Sequence, residues 1–326
     1  MSEIAIEASG LTRYYGSKPI VRQIDFAVPR GSVTGLLGLN GTGKTTTIRM
    51  LVGLLAPTRG RSAVLGIDSQ QLSPSDRARI GFAVEGHFLY NWMSVAACER
   101  FQSGTFPRWD SRLFRDTIDR FGISFDAKVS QLSRGQRAGV SLALTLSSLP
   151  ELLILDDPAL GLDPVNRRAL NETILEFVQS GDRTALLSSH LLDDVERIAD
   201  RILIMVNGRI AVDCPLESQV DRVSCCTVEL DDDTTKLGQI PRLIHARRVG
   251  KRCVLTLVDF DSQTQDALQR IGGENLSRNP AAFDEAAIAY LSRSRGSESC
   301  CNTTQTRNKP KKPKITICFI RIKQID

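Results

Sequence analysis

The sequence predicts an α/β fold with a parallel sheet core, an antiparallel β layer ahead of it, a helical insert, and a small α+β C-terminal appendage. Three observations predict it. The apolar run Val33-Thr34-Gly35-Leu36-Leu37 enters a glycine-rich stretch at residues 38–43 and leaves into a helix-like segment at residues 45–52. Strand-like runs at residues 152–155, 184–187 and 202–205 lie a helix length apart, the alternation that builds a parallel sheet. Near Pro215 the pattern changes, and shorter β-like runs and amphipathic helices take over.

The elements follow in order. Residues 3–37 alternate apolar and polar groups, with turns at Gly16-Ser17-Lys18-Pro19 and Pro29-Arg30-Gly31, which suggests the antiparallel layer. Pro57-Thr58-Arg59-Gly60 breaks the chain after the first helix, and residues 80–84 resume as a strand. Residues 86–149 read as the helical insert, where Phe114, Ile118 and Phe121 share one helix face and are expected in its core. The main domain is thus residues 1–214. Residues 215–295 form the small α+β domain, with β-like runs at 226–230 and 253–258 and helices at 264–271 and 283–291. Residues 296–326 are Ser-, Asn-, Thr-, Lys- and Pro-rich and are expected to be a disordered basic tail.

Charge and cysteine usage exclude several classes. The net charge is +5, and residues 296–326 carry seven Lys and Arg against two Asp and Glu, so the body is neutral. Without a basic face, nucleic acid is not expected as a direct partner. The eight cysteines include two adjacent pairs but no C-x-x-C and no His at zinc-like spacing, which argues against zinc or a disulfide framework and for reduced thiols. No apolar run reaches the roughly 18 residues that span a bilayer, and residues 1–4 do not open a signal peptide. Any membrane work is expected to go through partners.

The chemistry-bearing residues come in a fixed sequence. Gly38-Leu39-Asn40-Gly41-Thr42-Gly43-Lys44-Thr45 fits G-x-x-x-x-G-K-[ST], a loop whose backbone N–H groups wrap a nucleotide's phosphates. In that pattern Lys44 reaches the β- and γ-phosphates and Thr45 holds Mg²⁺. The helix that follows favours an anion at its N-terminus. Downstream, Leu152-Leu153-Ile154-Leu155-Asp156 is an apolar strand ending in a carboxylate suited to orienting Mg²⁺ as a Walker B aspartate, and Asp157 adjoins it. Ser188-Ser189-His190 closes the next strand.

With Leu132-Ser133-Arg134-Gly135-Gln136 ahead of that carboxylate and Gly161-Leu162-Asp163-Pro164 behind it, residues 4–210 resemble the ATP-binding subunit of ABC transporters, a P-loop NTPase of the ABC ATPase type. The stretches Leu89-Tyr90-Asn91-Trp92-Met93-Ser94-Val95 and Phe106-Pro107-Arg108-Trp109-Asp110, with the C-terminal appendage, look most like ABC-2 type exporters.

The resemblance implies ATP and Mg²⁺ as cofactors. It implies that Tyr15 stacks on adenine, with Tyr14 the alternative one register away, and that residues 38–46, Thr46 included, hold the phosphates. Thr45, Asp156 and Glu85 would serve Mg²⁺. Ser133, Gly135, Gln136 and Asp163 would meet a nucleotide held by a facing subunit, so one chain supplies half of each site in a homo- or heterodimer. Asp157, His190 and Lys44 would carry catalysis. A separately encoded transmembrane permease would be the partner, with the chain peripheral on the cytoplasmic face of the cell membrane.

Two residues depart from the family's pattern. Glu85 stands where Gln is usual, and a carboxylate cannot donate a hydrogen bond as an amide does. Asp157 stands where the usual residue is Glu, which polarises the attacking water; its side chain is one methylene shorter, about 1.5 Å of reach. Slow but real hydrolysis is the expectation. The rival readings are a degenerate regulatory subunit that binds ATP beside an active one, and an ABC ATPase of DNA repair or translation, which the single phosphate loop and neutral body disfavour.

Overall fold

Alternation builds the first layer. In β1 (Ile4–Tyr15) and β2 (Lys18–Pro29), Ile6, Ala8, Leu11, Ile24, Phe26 and Val28 point to one side and are buried. The two strands pair antiparallel. β3 (Val33–Leu37) is buried along its whole length, as a parallel strand covered on both faces must be. α1 (Lys44–Leu51) follows, and β4 (Arg59–Val64) and β5 (Ile67–Asp68) complete an antiparallel sheet of order β2-β1-β4-β5. The computed structural model describes residues 3–84, 89–181, 183–229, 237, 240–249, 252–270, 274–293 and 316–318. It divides into two units, Met1–Asp213 and Cys214–Asp326.

After α2 (Pro74–Arg77) and β6 (Ile80–Ala83), the first unit continues through α3 (Val95–Ser103), α4 (Ser111–Arg120) and α5 (Arg134–Ser147). The Phe114, Ile118 and Phe121 stripe is core, as its spacing predicts. Asp110 caps α4, and Phe114 packs edge-on against Phe125. The chain then returns to the sheet through β7 (Leu152–Asp156), α6 (Pro164–Gln179), β8 (Thr184–Ser189), α7 (Leu192–Ile198), β9 (Arg201–Val206) and β10 (Arg209–Pro215). Strand order is β10-β9-β3-β8-β7-β6, with β9, β3, β8, β7 and β6 successively parallel. One core joins Ile24 and Phe26 of the antiparallel layer to Ile48 and Leu51 of α1 and to Ile154, Leu186 and Leu203 of the parallel sheet.

The second unit holds α8 (Leu216–Arg222), β11 (Val223–Glu229), β12 (Leu243–Val249), β13 (Arg252–Val258), α9 (Ser262–Arg270), β14 (Glu274–Pro280), α10 (Phe283–Ser292) and β15 (Thr316–Cys318). Its antiparallel sheet runs β14-β11-β13-β12-β15 over a core of Val228, Leu243, Leu255, Leu257 and Leu268. The sequence pattern shows two of these strands, β11 and β13. It does not show β12 and β14, whose polar residues owe their strand state to neighbours rather than to alternation. Within the tail, residues 316–318 pair as β15 with the edge of β12. The rest of the tail lies outside the described residues.

One ion pair ties two parallel strands at their N-terminal ends. Arg79, just before β6, donates two hydrogen bonds of 2.7 and 2.8 Å to Glu151, just before β7. Arg30 and Arg108 stand 3.9 and 4.0 Å from the same carboxylate. The Arg79 hydrogen bonds hold the Glu151 carboxyl below its ordinary range. Its stabilisation is therefore present above the unfolded value of about 4.3 and is lost as pH falls through the lower folded value. Glu151→Gln is expected to lower unfolding stability by roughly 1 kcal/mol at neutral pH. In urea titrations the difference from wild type should vanish below the folded value.

Candidate functional site

Three parallel strands end level with one another. Leu37 of β3 pairs with Ser189 of β8, and Ser188 of β8 pairs with Asp156 of β7. Their C-terminal ends therefore deliver the glycine-rich loop, the two carboxylates and His190 to one place, where open α/β sheets hold ligands.

The loop between β3 and α1 is folded by its own polar groups. Thr42 Oγ1 donates to the carbonyl of Leu39 at 2.8 Å, and Gly43 has a φ of 111°, which a residue with a Cβ rarely adopts. Gly43 is also the N-cap of α1 and brings no side chain to cap it. The first-turn N–H groups of α1 are thus left for an external anion. Lys44 is buried, 5% exposed, and its Nζ donates to the Gly38 carbonyl at 2.8 Å. Thr45 is exposed beside it, Thr46 half-buried, and Asn40 and Gly41 form the exposed rim.

The carboxylates are oriented by a hydroxyl. Ser188 Oγ donates to Asp156 Oδ1 at 2.7 Å and accepts from the Asp157 N–H at 2.9 Å. Asp157 is held in the left-handed region, φ 47°, a conformation that costs a non-glycine residue about 1–3 kcal/mol and collects at functional sites. Its Oδ1 lies 2.9 Å from His190 Nδ1 and its Oδ2 3.6 Å from Lys44 Nζ. Lys44, Asp157 and His190 are consequently one electrostatic unit, with the anion between the two nitrogen bases.

A second group forms at the paired N-termini of α5 and α6. Ser133 and Gln136 make a reciprocal capping box, with Gln136 N donating to Ser133 Oγ at 3.2 Å and Ser133 N to Gln136 Oε1 at 3.1 Å. The N–H groups of Arg134 and Gly135 remain without intrahelical partners. Asp163 caps α6, accepting from the N–H groups of Val165 and Asn166 at 3.0 Å. Bonds from the Asn166 backbone and side chain hold the Asp163 carboxyl below its ordinary value. A Cβ on Gly135 would lie 2.5 Å from Asn166 Nδ2, so the two helix starts are packed together.

Tyr15 stands apart at the end of β1, 47% exposed, with the Arg13 guanidinium 5.1 Å above its ring, and Tyr14 is 38% exposed. Among the described residues, no hydrogen bond or ion pair links Tyr15, or the Ser133 and Asp163 group, to the Lys44 cluster. Glu85 lies outside the described residues. Ser188 went unassigned in the sequence reading; its signal there is a hydroxyl inside an otherwise apolar strand end.

The residues present fit Mg²⁺. The Thr45 hydroxyl and the Asp156 carboxylate are hard oxygen donors, few in number, as suits an ion that keeps waters and phosphates as its other ligands.

The family model described as ABC transporter matches residues 21–160. The Nod factor export ATP-binding protein I of Neorhizobium galegae is 30% identical over 301 residues, covering 89% of this chain and 86% of the relative. The probable multidrug ABC transporter ATP-binding protein YbhF of Escherichia coli (strain K12) is 35% identical over 214 residues, 64% of this chain. The match spans only 36% of that relative's own length. In fold, the chain is similar to the ATP-binding cassette MJ0796, a dimeric post-hydrolysis structure bound to ADP and Pi. The TM-score is 0.57 at 18% identity, over 64% of this chain and 98% of the cassette.

Removing the Ser188 hydroxyl leaves the Asp157 N–H unpaired and frees Asp156. Ser188→Ala is expected to lower unfolding stability by about 1–3 kcal/mol. Chemical denaturation measures the loss, and equilibrium nucleotide binding with and without Mg²⁺ should show the Mg²⁺-dependent part of affinity reduced.

Proposed function

The chain belongs to the ABC transporter family of ATP-binding proteins, and on that premise we propose that it hydrolyses ATP to power export through a separately encoded ABC-2 type permease. The observation that carries this reading is the Lys44, Asp157 and His190 cluster at the mouth of the phosphate loop. In this reading, the loop N–H groups and the α1 N-terminus bind the phosphates, and Lys44 exchanges the Gly38 carbonyl for a γ-phosphate oxygen. Thr45 and Asp156 would hold Mg²⁺, which would supply charge neutralisation at the phosphates. Asp157 accepts the proton of the attacking water, and His190 holds that carboxylate in position while contacting the γ-phosphate. Tyr15 stacks on the adenine.

Dimerisation is part of the proposal. The Arg134 and Gly135 N–H groups at the α5 start have no intrahelical partner, which suits a phosphate brought by a second subunit, and the Asp163 turn at the α6 start is packed beside them. Val165, two residues after Asp163, is 78% exposed, an apolar residue suited to burial in such a contact. The likeness in fold to a dimeric cassette supports the arrangement.

Among the described residues no helix is long and apolar enough to cross a membrane. Contact with a permease therefore needs a docking surface. We assign it to the groove of about 250 Å³ lined by Val52, Leu54, Phe82, Gln102, Phe106 and Thr145. Leu54 is 63% exposed there, and β6 supplies Phe82. A cytoplasmic segment of the permease carrying an apolar side chain fits it, and Leu54→Asp is expected to release the subunit in co-purification from membranes while leaving its ATP turnover intact.

Steady-state hydrolysis with Mg²⁺ tests the reading. Lys44→Ala is expected to abolish turnover, and Asp157→Glu to raise it by restoring the reach of the base, within the roughly 10²–10⁴-fold that such a base contributes. Tight ATP binding with no turnover in the wild type would establish instead a regulatory subunit that requires an active partner.

A further inference from the structure

His190 joins the end of β8 to a short helix, α7, that begins two residues later and cannot place itself. α7 has seven residues, and its N-cap, Leu191, makes no side-chain cap. A helix this short has no independent stability in water, so its orientation comes from tertiary anchors. One anchor is apolar: a Cβ on Gly35 of β3 would lie 2.3 Å from Val195 Cγ1, so α7 rests directly on the central strand. Ile198 is buried beside it, and the Ser189 hydroxyl accepts from the Leu191 N–H at 2.9 Å at the helix start. The second anchor is the neighbouring residue, Asp194, four positions after His190.

Asp194 is 4% exposed and turned toward α6. Its Oδ1 accepts from Asn171 Nδ2 at 3.3 Å, and its Oδ2 lies 3.7 Å from Arg167 Nε. Neither Oδ2 nor Nε has a hydrogen bond. Arg167 and Asn171 are one turn apart on the same face of α6. Arg167 also reaches back, its Nη2 donating to the Leu162 carbonyl at 3.5 Å, in the turn that presents Asp163. One guanidinium thereby touches the Asp163 turn and lies beside the helix that follows His190.

We propose that Arg167 and Asp194 are positioning residues for catalysis, a strut that locks α7, and through it His190, to the Asp163 turn. Burial pushes the Asp194 carboxyl above its ordinary value, with Arg167 opposing. A buried ion pair with open geometry contributes little to stability, and an apolar pair would fill the same space at lower cost. What the charged pair supplies is a directional contact whose far end is the Asp163 turn. In a dimer, pressure on that turn moves Arg167 and is felt at His190.

The kinetic part rests on the hydrolysis proposed above, so the test has an arm that does not. The chain has three histidines, His87, His190 and His245. In the full chain labelled with ¹⁵N,¹³C-histidine, the His190 imidazole resonance is assigned by its loss in His190→Gln. Asp194→Asn, which keeps the side-chain size, and Arg167→Lys, which keeps the charge and loses the guanidinium, are each expected to shift that resonance and leave His245 unmoved. They should lower kcat about tenfold with KM for ATP within twofold, a displacement at the reacting group rather than a loss of binding. The melting temperature of Asp194→Asn should be unchanged or raised.

An unmoved His190 resonance in both variants overturns the proposal, whatever the turnover, and a fall in melting temperature alone would make the pair merely structural. A shifted resonance in a wild-type background that hydrolyses no ATP supports the strut and removes the hydrolysis reading instead.

Discussion

The site depends on the in-register parallel pairing of β3, β8 and β7. Their ends are level because Leu37 faces Ser189 and Ser188 faces Asp156. A slip of one residue would turn every side chain to the opposite face. Ser188 and Ser189 show what the register decides. Ser188 bridges Asp156 and the Asp157 N–H, whereas Ser189 caps the Leu191 N–H and closes the turn into α7. Adjacent, chemically identical residues serve different loops because the pleat sends them to opposite sides.

Charge balance follows from that placement. Lys44 is buried and would be costly alone, but the Gly38 carbonyl and Asp157 answer it. Asp157 in turn is shared with His190 and held in a strained backbone conformation. The strain, the buried ammonium and the imidazole support one another; none of the three is explained without the others. A change at Asp157 would act inside this unit, on the Lys44 and His190 that it touches directly.

Much of this was legible beforehand. The phosphate loop, the acidic strand end and the Ser188-Ser189-His190 run are local in sequence, and each lies on an element whose apolar pattern marks it. The helical insert declared itself through Phe114, Ile118 and Phe121. Polar strands did not: β12 and β14 carry Arg, His, Ser and Asn, and exist because β13 and β11 offer them edges. The Arg167 and Asp194 contact was equally hidden, since 26 residues of helix, strand and turn separate two charges that read as ordinary surface positions.

By itself, then, the sequence determined which chemistry is available: residues whose roles come from backbone-local geometry, such as a loop of glycines before Lys44, are written contiguously. Tertiary structure alone decided how those groups act together. The Asp157 carboxylate between Lys44 and His190, the Ser188 bridge and the seating of α7 on Gly35 and Arg167 all join segments distant along the chain. Such contacts are set by strand order and register, which arise from burying the whole sheet at once and leave no local mark in the residues they bring together.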